Sequence, residues 1–213
     1  MVAPLSLAEI YNLLPIATVK WSLQRNDELS GAGSGDVWTA ELSDPLWAAD
    51  VTLGVGEHDE LKQCAAAIRS LEGAKQSFLL CDPTSEFPQA DRTGTILGAS
   101  AVTIRAVHAN RRIAQLRGLP ASYVLTLGDK MQLTQGSMIR FFEISKTTAA
   151  NGAGQMDVQV MPRLPLTLAA GAVVTLVRPA CPVIIHPGSH EPGIARRTVT
   201  DGASFRALQK KRG

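Results

Sequence analysis

The chain is poor in aromatic residues, which make up 5% of its 213 positions. It holds no stretch of interleaved Phe or Tyr that would offer bases a stacking platform, so single-strand nucleic-acid binding by stacking is disfavoured. Only three cysteines occur, Cys64, Cys81 and Cys181. Their number is odd, their spacing matches no metal site, and each sits among apolar residues, so buried free thiols in a reducing compartment are expected. No apolar run approaches the ~20 residues of a membrane-spanning helix. Also missing are the short motifs of nucleotide and acyl-transfer chemistry. The glycines of "GAGSGD" (31–36) fall at every second residue, which is neither a dinucleotide fingerprint nor a phosphate loop. "GSGD" and "PGSHEP" do not form a nucleophile elbow. The acids of the first ninety residues show no acid/base pair, and we expect no catalytic residue, cofactor or metal site.

What is present is a 45% hydrophobic, 19% charged chain, long enough for one large or two small globular domains and unlike a disordered segment. The N-terminal "MVAPLSLAEIYNLLPIATVKW" lacks a basic flank and carries Glu9, so it does not read as a signal peptide. The net charge of +2 conceals an asymmetry. Residues 1–90 hold 13 acids and 5 bases, a balance of −8, and residues 91–213 hold 6 acids and 16 bases, a balance of +10. Such a bipolar molecule is suited to meeting unlike partners, or copies of itself, in a fixed orientation.

Hydrophobic periodicity divides the chain. "VKWSLQR" (19–25) alternates as a half-buried strand does, "GAGSGD" forms a tip, and "VWTAEL" (37–42) returns. Asp44-Pro45 reads as a turn, followed by a run anchored by Trp47, Val51 and Leu53. Residues 57–72 predict a helix. Acids crowd its first turn, Leu61, Cys64, Ala65, Ile68 and Leu71 share one face, and Gly73 stands at the left-handed cap position. A strand is expected over 76–81. From Pro83 onward, short Val/Thr/Ile/Phe-rich runs such as "GTILGASAVTIRAVHANRR", "YVLTLGDKMQL", "RFFEISKTT", "MDVQVMPRL" and "AVVTLVRP" alternate with Gly, Asn and Pro, the texture of a small β-barrel or sandwich. "TAANGAGQ" reads as a hairpin loop, and the proline-rich 179–193 as a connector.

Among polar clusters, His186 and His190 stand four apart beside Glu191. Pro187 and Gly188 forbid the helix that would aim both at one metal, and no third ligand is near in sequence. Arg105, Arg111, Arg112 and Arg117 read as loop or protein-contact residues. Trp21, Trp38 and Trp47 are core residues of the first domain or, alternatively, members of a subunit interface, where Trp is enriched.

The order of elements carries a resemblance. A strand "TVKWSLQRN", a Gly/Ser tip, "VWTAEL", a helix ending "RSLEG" and then "AKQSFLLCDP" precede a β region with "LTLGDKMQL" and "FFEISKTTAANGAGQMDVQVMPRL", followed by "GAVVTLVRPACPV". From about Val19 to Pro182 this resembles the distal tail, or tail-tip baseplate, proteins of long-tailed bacteriophages and prophages; "HPGSHEPGIARR" departs from that pattern. The resemblance implies a tail-tube-like β-sandwich or part-barrel over residues 1–85, with one helix and completion by 181–213, and a small outer β-barrel over 86–180. It implies a homohexameric ring in the virion, assembled in the bacterial host cytoplasm. The ring would join tail tube protein to hub proteins, with the tape-measure protein as a further partner and DNA passing through the lumen unbound.

A tube terminator or a hub adaptor would share this element order. A carbohydrate- or receptor-binding β module is the alternative reading of the outer domain. Trp38, Trp47, Arg196, Arg197 and Phe205 are the candidate interface residues. The Lys210–Arg212 end is expected beside a partner, and the acids of 1–90 on the lumen wall, because basic walls would hold phosphates.

Overall fold

The computed structural model describes residues 3–31, 33 and 35–211. Ala32 and Ser34 of the glycine-rich tip and Arg212 of the basic end lie outside the described residues. The chain is mainly β, with one α-helix among the described residues. After a 3-10 turn at Tyr11–Leu13 come β1 (Ile16–Gly31), β2 (Val37–Leu53), α1 (His58–Ser70) and β3 (Phe78–Cys81). A second group comprises β4 (Thr103–Val107), β5 (Ile113–Arg117), β6 (Val124–Leu125), β7 (Lys130–Gln135), β8 (Met138–Ile144), β9 (Thr148–Ala149), β10 (Met156–Met161) and β11 (Val173–Thr175). The last strands are β12 (Ala180–Ile185), β13 (Ile194–Ala195), β14 (Thr200–Asp201) and β15 (Ser204–Gln209).

Two cores result. Strands β10-β5-β4-β11-β7-β8 close into a barrel, filled by Ile104, Leu116, Met131, Leu133, Phe142, Ile144 and Val158. Five others form a sheet in the order β1-β2-β15-β12-β3, so residues from both ends of the chain share one sheet and the barrel is inserted between them; β6 with β9 and β13 with β14 make two short two-stranded ladders.

One face of the sheet is covered. Trp47, Ala49, Val51 and Leu53 alternate inward, and α1 lays Leu61, Cys64 and Ile68 on the same core. The helix begins one residue later and ends two residues earlier than the sequence suggests. Glu57 takes an extended N-cap conformation, and Glu72 already turns left-handed at φ 50 before Gly73 at φ 68. The reversal thus spreads over two residues and leaves Leu71 at its root, buried.

Three expectations are corrected here. Asp44-Pro45 is no turn, because β2 runs through it. Between the pairs Gln24↔Leu46 and Asn26↔Ser43, two residues of β2 face one of β1, and this bulge removes the ladder bond that proline could not donate. Residues 180–185 are no connector either. Strand β12 lies inside the sheet, paired to β3 from Ala180↔Cys81 to Val183↔Phe78 and to β15 from Val183↔Gln209 to Ile185↔Ala207. Pro182 fits because its carbonyl accepts from the Lys210 N–H where the β15 ladder ends, so its missing N–H falls at that ladder's last position. In the stretch read as "GTILGASAVTIRAVHANRR", strand forms only over Thr103–Val107; residues 84–102 pass over the surface in turns.

The sheet and the barrel share an aromatic junction. Trp47 Nε1 donates to the Phe141 carbonyl at 3.1 Å, and Trp21 stacks 5.3 Å from the Phe141 ring. The Ala180 N–H donates to Gln132 Oε1 at 2.9 Å across the same boundary.

Candidate functional site

Strands β1 and β2 are 16 and 17 residues long, far beyond what the sheet needs. The inner half of β2 pairs with β15 while β1 lies along its other side; beyond Gln24 and Ser43 the two strands project as an arm whose residues are all exposed where described. Cross-strand pairs place Gly31 opposite Val37 and Leu29 opposite Thr39 on one face, and Ser30 opposite Trp38 and Glu28 opposite Ala40 on the other. Large apolar side chains lie bare on both faces: Leu29 is 69% exposed, Val37 63%, Trp38 73% and Leu42 60%. Residues 26–43 carry Asp27, Glu28, Asp36 and Glu41 and no Lys or Arg. Strand β1 also ends the sheet. It pairs only with β2 among the described residues, which leaves its outer row of backbone groups unpaired.

Where the arm leaves the sheet it forms a cleft against the barrel. One cavity of about 270 Å³ is lined by Leu23, Arg25, Glu41, Arg112, Val160 and Arg163. A smaller one of about 110 Å³ shares Pro162 and Arg163 with it and adds Asp44, Arg140, Phe142 and Lys211. Four ion pairs build the walls: Arg25–Asp27 at 2.7 Å, Arg163–Glu41 at 3.3 Å, Arg111–Asp44 at 3.7 Å and Lys211–Asp44 at 3.9 Å. The first lies within β1; the other three tie β2 to the barrel and to the segment after β15. The cations still outnumber the acids. Arg140 donates to the Ile139 carbonyl at 2.9 Å, and neither it nor Arg112 has a carboxylate within ion-pair distance among the described residues. Burial pulls the Arg140 pKa below its ordinary value, and it does the same to Lys211, where Asp44 opposes the shift and Arg140 and Arg111 add to it.

The predicted interface residues divide. Trp38, Arg196 and Arg197 are surface side chains, with Arg196 paired to Asp201 at 2.8 Å. Trp47 and Phe205 are corrected to core residues. Trp47 is 4% exposed beneath the barrel junction, and Phe205 is 3% exposed, its ring edge-on to Phe78 at 6.3 Å. Side chains so enclosed have no face left for a partner. His186 Nδ1 lies 3.0 Å from the Pro187 carbonyl in a turn, while burial and Arg69 lower the His190 pKa. No group of three metal-ligating side chains occurs among the described residues.

Among the acids of residues 1–90, Asp27, Glu28 and Glu41 lie on the arm, Asp59 and Glu60 in the first turn of α1, and Asp82 and Glu86 in the loop after β3. The uncovered face of the sheet shows a mixed row, Lys20–Asp50–Arg206, across three strands. Arg140 and Glu41 were invisible as site residues in the sequence, since each sits in an ordinary strand pattern. Lys211 stood out as part of a basic end, but its contact with Asp44 spans 167 positions.

The architecture is that of a mainly β protein made of a sheet–helix unit with an inserted closed barrel. Compared with known proteins, the chain matches no family model and no curated sequence.

Proposed function

We propose that the chain is a structural, non-enzymatic subunit that assembles with copies of itself into a ring at the tail tip of a long-tailed bacteriophage. The observation that carries this reading is the β1–β2 hairpin, a sheet edge that runs without a partner into an arm with bare apolar side chains on both faces. A long, apolar strand edge left to solvent invites uncontrolled pairing. Cyclic assembly covers every such edge with the same surface of a neighbour and leaves none over. In the resemblance to distal tail proteins, a hexameric ring joins tail tube to hub and adsorption apparatus, contacts the tape-measure protein, and passes DNA. The uncovered sheet face, with Asp50 set between Lys20 and Arg206, offers a passage wall without a run of cations to hold phosphates.

The alternative of a sugar- or receptor-binding barrel finds less support. Of the aromatics in 86–180, Tyr123, Phe141 and Phe142 are buried and Phe87 is half-buried, so no open aromatic platform is offered to a sugar ring.

Sedimentation velocity and negative-stain microscopy of the purified protein over a wide concentration range test the reading. Closed rings are the expected result. A protein that stays monomeric throughout, with no ring of this chain in tails, would overturn it.

A further inference from the structure

We propose that the cationic cleft at the root of the arm receives the acidic, apolar arm of a second copy of the chain; the inference rests on the reading of the chain as a self-associating subunit. The cleft holds Arg25, Arg111, Arg112, Arg140, Arg163 and Lys211 around only Asp27, Glu41 and Asp44. Arg140 is half-buried beside no carboxylate. A charge withdrawn from water without a counter-charge is costly, so the site is completed by a carboxylate from outside.

The arm supplies one in a suitable setting. Glu28 faces Ala40, two residues along β2 from Trp38, so the carboxylate and the indole project from the same face. That pairing suits a cleft whose guanidinium groups stand beside Leu23, Val160 and Pro162, since an indole packs on apolar walls and accepts a cation over its ring. The arm's inner acids, Asp27 and Glu41, already pair within the chain, but Glu28 and Trp38 line neither cavity of their own cleft. Glu28 stands three residues past Arg25, about 10 Å farther along the strand at the usual rise per residue, and Trp38 lies farther out still, opposite Ser30. The contact is therefore between molecules. It joins unlike surfaces, arm to cleft, and repeating it head to tail builds a closed ring when the rotation closes.

The test compares wild type with Glu28→Lys, Trp38→Ala, Arg112→Glu and the double variant E28K/R112E by sedimentation velocity. All three side chains are exposed, so thermal unfolding should be unchanged and loss of assembly cannot be laid to misfolding. Each single change should weaken association about tenfold or more, the double variant should recover most of the loss, and high salt should weaken the wild-type contact. Single variants that assemble as well as wild type would overturn the arm-in-cleft contact while leaving the ring intact. So would a double variant no better than the single ones. A wild type that never associates would overturn both.

Discussion

The ammonium of Lys130 stands 4.5 Å from the centre of the Trp47 ring while it pairs with Glu143. One cation from the first strand after the β6–β7 turn thus caps the central tryptophan of the sheet and meets a carboxylate from the neighbouring barrel strand. The Lys130 side chain is 7% exposed and that of Glu143 23%. Glu143→Gln should leave a buried ammonium without its counter-charge and cost about 3 kcal/mol, the lower end for breaking a buried pair because Glu143 keeps some solvent. Replacing both together, K130M/E143L, should cost far less. Urea denaturation of the three proteins measures it, and equal losses for the single and the double change would contradict the account.

Ile68 lies on the inner face of α1, packed on the sheet. Ile68→Ala should destabilise by about 2–5 kcal/mol, the range for a large-to-small change in a packed core. A cost below about 0.5 kcal/mol would mean that the site collapses freely around the missing atoms, against the close packing found here.

All three thiols are buried, and burial raises the pKa of each, with Cys81 pushed up to about 12. Because the thiolate is the nucleophile, the folded protein should be nearly inert to a thiol reagent at neutral pH and titrate fully once unfolded. Fast labelling of any one cysteine in the native state would show that its surroundings open more readily than the structure indicates.

His190 carries the pH dependence that is easiest to sign. Burial first, then Arg69, favours its neutral form in the folded protein, and Glu191 opposes them. The folded-state pKa is therefore below the ordinary value of about 6.5, and the unfolded chain takes up the proton first on acidification. The stabilisation is complete above the ordinary value and is lost as the pH falls through it toward the folded-state value. Thermal midpoints of wild type and His190→Gln between about pH 7.5 and 5 should converge, with wild type losing more. Parallel losses in both proteins would assign the acid sensitivity elsewhere.

The helix was legible because its evidence is local: Leu61, Cys64, Ile68 and Leu71 recur at helical spacing, and acids sit in its first turn. The alternation of Val19, Trp21 and Leu23 likewise announced a half-buried strand. Pro45 and Pro182 misled for a common reason. Proline was read as a break, yet its missing donor was absorbed in one case by a bulge and in the other by the end of a ladder. The hairpin of β1 and β2 around its glycine-rich tip was legible, but the bareness of its outer half was not, since "VWTAEL" has the composition of a buried strand and only the tertiary structure leaves it exposed. The cleft depends on Asp44 meeting Arg111 and Lys211 from two distant places in the chain, information that no local window contains.

The place of β12 and β15 in the sheet has a consequence for birth on the ribosome. The hairpin and α1 emerge first, but β2 must wait for β15, and β3 for β12, before their ladders are complete. Meanwhile the whole barrel can emerge and close, since its six strands fall between Thr103 and Thr175. The nascent chain therefore carries a finished barrel beside a half-built sheet, with Trp47, Val51 and Phe78 still short of their final neighbours. Long-range pairing of this kind folds slowly and leaves sticky intermediates. Translation halted after the barrel has emerged but before Ser204 leaves a folded barrel tethered to an aggregation-prone stub.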